Sequence, residues 1–171
     1  MNCFKPILWS LALAACMSAQ TRNGVGQAST ATMTDDERAI RGQIANYTKA
    51  LDTGDLAMAA RVWWDTKDVS AITPMGHSHG WDEVKGMYQF FADNFTDRHL
   101  RARDIAVHLM GDTAWVEYNW LFDAKIKASG MAMHSEGRES EVFRKIGGAW
   151  RIVHIHYSGP ATPVNPGPGP Q

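Results

Sequence analysis

Cysteine is almost missing from this chain. It has two, Cys3 and Cys16, and both fall in the first sixteen residues. No disulfide can therefore staple the rest of the sequence, and its fold must hold by packing alone. Charge of either sign is also lacking in excess, with a formal net charge of -1. No Lys/Arg run or basic patch is visible, which argues against a nucleic-acid partner. Long hydrophobic runs are missing as well: Pro6 to Ala15 is apolar but far short of the roughly 20 residues that span a bilayer. There is no Gly-x-Ser-x-Gly, no Walker sequence and no cysteine nucleophile beyond residue 16, so the usual covalent and phosphate-binding chemistries have no foothold. What is plentiful is tryptophan, seven in 171 residues. The indoles suit a bulky core or an aromatic-lined cavity.

The first residues read as a leader. Met1-Asn2-Cys3-Phe4-Lys5 is a short charged start and residues 6–15 are the apolar stretch. Leu13-Ala14-Ala15-Cys16 has the form of a bacterial lipobox, with cleavage before Cys16 and lipidation of that cysteine. Cleavage after Ala19 by an ordinary signal peptidase is the alternative. Both readings place the protein in the periplasm, the first with a lipid anchor. Residues 16–33 are small and polar and read as a flexible tether. Residues 34–160 are the expected folded domain. Residues 161–171, with four prolines, are an extended or disordered tail.

Within the domain, Thr34 and Glu37 form a capping-box pattern. Ile40, Ile44, Tyr47 and Leu51 follow on one face of a helix, which Gly54 stops. Leu56 to Val62 reads as a second helix and Val69 to Thr73 as a short strand. Pro74 to Gly80, carrying His77 and His79, reads as a loop at a cavity rim. Trp81 to Phe95 is a third amphipathic helix. Strands are expected over residues 101–110, 114–127, 133–145 and 150–160, with glycine turns between them. That spacing implies an antiparallel meander. Helices followed by a curled sheet give an α+β layout, with the helices covering one face of the sheet and strong curvature leaving a cone whose mouth can hold a ligand.

The last strand alternates with a period of two. Trp150, Ile152, His154, His156 and Ser158 share one face; Arg151, Val153, Ile155 and Tyr157 share the other. Two His-x-His pairs raise the question of a metal. The last-strand pair is instead expected on the outer face, with His134, Glu136, Arg138 and Ser140. That polar set suits a subunit interface or hydrogen-bond network, and no metal or cofactor is expected.

The segment Val153-His154-Ile155-His156-Tyr157-Ser158-Gly159-Pro160-Ala161, preceded by Gly148-Ala149-Trp150, resembles the end of the association (hub) domain of calcium/calmodulin-dependent protein kinase II. It also resembles the wider SnoaL-like group of bacterial proteins. Glu139 to Lys145 and Gly111-Asp112-Thr113-Ala114 fit the same pattern. The resemblance implies the nuclear-transport-factor-like fold, a cone-shaped curved antiparallel sheet wrapped around a long N-terminal helix, and a homodimer or higher homo-oligomer. The kinase hub lines its pocket with arginines. Those positions fall here on Trp120, Glu141 and Tyr157, and the pocket tryptophan falls near Phe95. An anionic ligand is thereby disfavoured and a small apolar, aromatic one favoured.

With Tyr157 inward, alternation turns Ile155 and Val153 inward, together with Ala114, Val116, Tyr118, Trp120 and Phe122 on one strand and Glu139, Glu141 and Phe143 on the next. A carboxylate in that apolar setting is desolvated, which suits a general base or acid. The expectation is Glu141 as base, with Glu139 as its rival should a bulge swap the faces. Tyr118 and Tyr157 are expected as oxyanion donors. Trp120, Phe95, Met87, Tyr47, His77, His79, Glu139 and Ile155 are expected around the substrate. An ion pair of Glu141 with Arg144 or Arg151 is the structural alternative. Two functions remain open. One is an exported cofactor-independent lyase, dehydratase or isomerase; the other is a non-catalytic small-ligand-binding or oligomerisation module.

Overall fold

A computed structural model describes residues 32–159. The expected leader, the expected lipidation site Cys16, most of the expected tether and the proline-rich segment lie outside the described residues. No helix among those described is long and apolar enough to cross a membrane.

Helix α1 spans Asp35–Thr53. The Thr34 hydroxyl accepts the amide of Glu37 at 3.1 Å, and Gly54, at φ 71°, closes the far end. Only half of the capping box forms, because the Glu37 carboxylate turns instead to Arg41, at 3.0 and 2.8 Å. Ile40, Ile44, Tyr47 and Leu51 are all buried, as their helical spacing demands. Helix α2 follows at Leu56–Val62, capped by Asp55, and α3 runs over Gly80–Asn94.

Six strands form one sheet: β1 (Ser70–Thr73), β2 (Gly76–His79), β3 (Phe95–Met110), β4 (Thr113–Ile126), β5 (Ala132–Ile146) and β6 (Ala149–Ser158). Their spatial order is β2-β1-β6-β5-β4-β3. The four long strands make the expected meander, but the sheet is mixed, because β1 lies parallel to β6. The segment expected to be a loop is the hairpin partner of β1, with Ile72 opposite His77 and Thr73 opposite Gly76. The two ends of the sheet do not meet, which leaves an unclosed cone.

The curvature has local causes. β3 begins six residues earlier than its pattern suggests and carries two irregularities, between Thr96 and His99 and between Arg103 and Ala106. Asp97 and Asp104 there take left-handed φ values of 50° and 55°, and bulges of this kind bend and twist a strand. Helix α1 is tied to the bent strand. Asp52 Oδ1 accepts the amide of Leu100 at 2.7 Å, and Arg98 Nε donates to the Leu51 carbonyl at 2.9 Å. Arg41 donates to the Ile105 carbonyl at 3.0 Å.

Strict alternation fails on β6. Phe143 pairs with Ile152 and Val142 with His154, so Val153 is an extra residue. This bulge carries Trp150 and Ile152 to the core, where they are buried, while Ile155 also remains buried and inward. The expected placement, with Val153 inward and Trp150 and Ile152 outward, is thus corrected. A period of two cannot survive an inserted residue. On the outer face His154 Nδ1 sits 2.8 Å from the Ser70 hydroxyl, and His156 pairs with Ser140. His134 does not join them; it bonds Asp123 at 2.7 Å.

Candidate active site

Glutamates two apart on one strand face must share an environment, and β5 turns Glu139 and Glu141 both inward. Register fixes their neighbours. Tyr118, Glu139 and Tyr157 form one row across β4, β5 and β6; Val116, Glu141 and Ile155 form the next. From α1, the Tyr47 hydroxyl donates to Glu139 Oε1 at 2.9 Å. From β4, the Tyr118 hydroxyl donates to Glu141 Oε1 at 2.9 Å. Below them the Trp63 indole donates to the Tyr88 hydroxyl at 2.8 Å.

Beside this polar cluster lies a cavity of about 340 Å³. Phe91, Phe95 and Phe122 form much of its wall, with ring centroids 5.3 to 5.8 Å apart. Those separations suit tilted and edge-to-face aromatic contacts. Trp120 and Tyr157 meet edge-on at 6.0 Å on the sheet side. Among the described residues no lysine, arginine or histidine lines the cavity, and Glu139 is its one carboxyl.

Trp120 owes its position to a glycine. A Cβ at position 137, opposite Trp120 on β5, would stand 2.6 Å from the indole and 2.0 Å from the Ser158 carbonyl oxygen. Only glycine admits an approach this close. The indole lies over the vacant position and donates to the Arg138 carbonyl at 3.3 Å.

Burial sets the electrostatics. It pushes the Glu139 carboxyl up to about 7, against the hydroxyls of Tyr47 and Tyr118, which favour its ionised form. Burial raises Glu141 well above the usual carboxylate range, with the charge of Glu139 adding to the effect and the Tyr118 hydroxyl opposing it. Desolvation also lifts the phenols of Tyr47, Tyr118 and Tyr157 above their ordinary value, so they remain neutral donors. A carboxyl that titrates near neutrality can take a proton and return it without leaving its working range.

Of the residues expected around a substrate, the structure brings Tyr47, Met87, Phe95, Trp120, Glu139 and Tyr157 to the cavity. Several others are placed elsewhere. Glu139 lines the cavity as expected, whereas Glu141 is fully enclosed and does not line it. Its expected alternative fails too, since Arg144 and Arg151 pair with each other in the ladder and no ion pair reaches Glu141 among the described residues. The Tyr118 hydroxyl donates to Glu141, and Ile155 is fully buried without lining the cavity. His77 and His79 stand on the edge strand β2 with rings 3.8 Å apart, away from the cavity, while Pro74 and Met75 of the same hairpin reach it. Among the described residues no group of three or more His, Cys, Asp or Glu side chains could hold a metal.

Phe91, Phe122, Leu100 and Met133 were not expected as lining residues. Phe122 lay in the inward row and Phe91 on the α3 stripe, so the signal was present but pointed equally to core. Gly137, a lone glycine in a strand pattern, was the clearer missed sign.

The comparisons with known proteins match this geometry. The SnoaL-like domain family matches residues 40–162. The chain belongs to that family. A nuclear transport factor 2-like superfamily protein from Salmonella enterica serovar Typhimurium shares 34% identity, with a TM-score of 0.72 over 77% of this chain and 95% of that one. A candidate dehydratase of the same superfamily from Streptomyces avermitilis shares 19% identity, with a TM-score of 0.69 over 77% and 100%. A ketosteroid isomerase-like protein from Erwinia carotovora atroseptica shares 19%, with a TM-score of 0.64 over 75% and 99%. At those lower identities the likeness is one of fold. No curated protein matches the chain significantly. This SnoaL-like domain therefore has the nuclear-transport-factor-like fold expected from its last strands, and the chemistry must be argued from its own side chains.

Proposed function

We propose that this SnoaL-like protein is a cofactor-independent enzyme of the lyase, dehydratase or isomerase type, acting on a small, neutral, largely aromatic substrate. The observation that carries the reading is the single carboxyl, Glu139, set with a pKa near 7 in an otherwise apolar cavity. The names of structural neighbours, a candidate dehydratase and a ketosteroid isomerase-like protein, point the same way. Export, a lipid anchor at Cys16 and a homo-oligomeric state belong to the same proposal and rest on the leader sequence and the resemblance.

In the proposed reaction the Glu139 carboxylate takes a proton from a substrate carbon next to a carbonyl. The electron pair left behind moves onto the carbonyl oxygen. Tyr157, opposite Glu139 in the ladder and also at the cavity, donates its phenolic hydrogen bond to that developing oxyanion. The pair then returns from the oxygen to re-form the carbonyl. In an isomerisation the enolate double bond displaces a neighbouring double bond, whose far carbon takes the proton from Glu139. In a dehydration a carbon–carbon double bond forms as the carbon–oxygen bond to a hydroxyl on the next carbon breaks, and that hydroxyl takes the proton and leaves as water. Every proton and electron pair is accounted for without a further reactant.

A substrate carboxylate would face Glu139 with no cation in the wall, so charge as well as shape selects neutral ligands. The test is a thermal-shift screen of the full chain with paired neutral and carboxylate-bearing aromatic compounds. Neutral aromatics should stabilise it and their carboxylate counterparts should not. Turnover of the best binder should be lost in Glu139→Gln while binding persists. Stabilisation by the carboxylates alone, or full turnover by Glu139→Gln, overturns the proposal.

A further inference from the structure

The proposed reaction makes no use of the buried carboxyl of Glu141. Glu141 is completely enclosed, and its Oε2 has no hydrogen-bond partner. Val116 and Ile155, both fully buried, flank it in the ladder. The titratable groups that bear on it are all acids: Glu139 on its own strand, Tyr118 on β4, and Tyr47 and Tyr88 on the two long helices. An ionised carboxylate there would have one oxygen unsatisfied and no counter-charge, an arrangement proteins avoid by keeping the proton.

Tyr118 connects this group to the cavity. It is the ladder partner of Glu139, yet its hydroxyl donates to Glu141, and it also bears on Glu139 by favouring the ionised form. One phenolic hydroxyl thus serves two carboxyls. We propose that Tyr118 and Glu141 are positioning residues for Glu139, with Glu141 standing as a neutral acid that anchors the Tyr118 hydroxyl beside the reactive carboxylate. The inference rests on the reading of Glu139 as the base. When Glu139 ionises, the Tyr118 O–H swings toward it, and a neutral Glu141 gives up only an accepted hydrogen bond. No proton is transferred in that swing. Were Glu141 ionised, it would compete for the same hydroxyl and oppose a second negative charge on Glu139.

The experiment is carboxyl NMR of the full-length protein with glutamate side chains labelled at the carboxyl carbon, titrated without substrate. Glu139→Gln and Glu141→Gln assign the two signals. The native Glu139 signal should titrate near 7, and the Glu141 signal should stay in its protonated position through neutral pH. Tyr118→Phe should move the Glu139 midpoint upward, and Glu141→Gln should leave it in place. A Glu141 signal that is already ionised at neutral pH overturns the proposal. So does a Glu139 midpoint that falls in Glu141→Gln, or one that is unmoved in Tyr118→Phe. If Glu141→Gln does not fold, the native spectrum and Tyr118→Phe still decide. A purely structural role for Tyr118 would alter stability and leave the midpoint alone. Because the titration involves no turnover, its outcome is separate from that of the proposed reaction.

Discussion

Replacing Glu139 with glutamine should change how the protein's stability depends on pH, with a calculable sign and size. The folded Glu139 carboxyl titrates at about 7 against an ordinary value of 4.5. Below 4.5 the group is neutral in both states and no penalty exists. Between 4.5 and 7 the unfolded chain releases the proton and the folded protein keeps it. The folded state then binds more protons, and stability falls as pH rises. At roughly 1.4 kcal/mol per pH unit, the displacement amounts to a loss on the order of 3 kcal/mol, complete once pH exceeds the folded value. Glu141, also raised by burial, adds a loss of the same sign. Glutamine at position 139 retains the volume and an acceptor for Tyr47 but cannot titrate. The substituted protein should therefore lose stability less steeply between pH 4.5 and 7. The exposed carboxylates Asp36 and Asp123, whose pKa values are lowered by hydrogen bonds, oppose the trend but cancel in the comparison. Urea unfolding at pH 4, 5, 6, 7 and 8, with equal m-values in the two proteins, reads this directly. The stability of Glu139→Gln relative to the native protein should rise by about 3 kcal/mol across the series. Parallel curves would mean that folded Glu139 titrates near its ordinary value, and the electrostatic basis of the proposed base would be gone.

Tyr47→Phe removes the donor to Glu139 Oε1. It should cost about 1–3 kcal/mol and raise the pH at which Glu139 ionises, so a pH–rate profile or carboxyl titration should move upward. Gly137→Ala drives a Cβ into the Ser158 carbonyl oxygen and the Trp120 indole. It should cost about 1–3 kcal/mol through overpacking, seen as a lowered unfolding midpoint, and should weaken binding of neutral aromatics by displacing Trp120.

Periodicity carried much of the architecture. Ile40, Ile44, Tyr47 and Leu51 announced α1, and the alternating row from Ala114 to Phe122 was inward as its pattern required. These signals are local and repeat, so one irregular residue does not erase them. What the sequence could not show came from single residues out of period. The extra residue at Val153 reversed the faces of half of β6, and Asp97 and Asp104 turned a short expected strand into a long bent one. The strand β2 hid behind Pro74 and Met75, which read as the start of a loop but form the turn of a hairpin. Its pairing with β1 is local, but that of β1 with β6 joins segments far apart in sequence that no local pattern reports.

The withdrawal of Glu141 from the cavity has a different cause. Alternation placed Glu139 and Glu141 on one face and could go no further, because both satisfy the same period. Depth along the cone separates them. Gly137 beyond Glu139 admits the Trp120 indole and leaves that end of the strand beside open space, whereas Val116 and Ile155 close over Glu141. The helices reinforce the difference, since Tyr47 of α1 reaches Glu139 while the nearest hydroxyl bonded to Glu141 comes from the sheet. Two identical side chains thus acquire unlike environments through neighbours on three separate strands and a helix. One carboxyl is left with a free approach and a pKa suited to proton exchange, and the other is left to hold a hydroxyl in place.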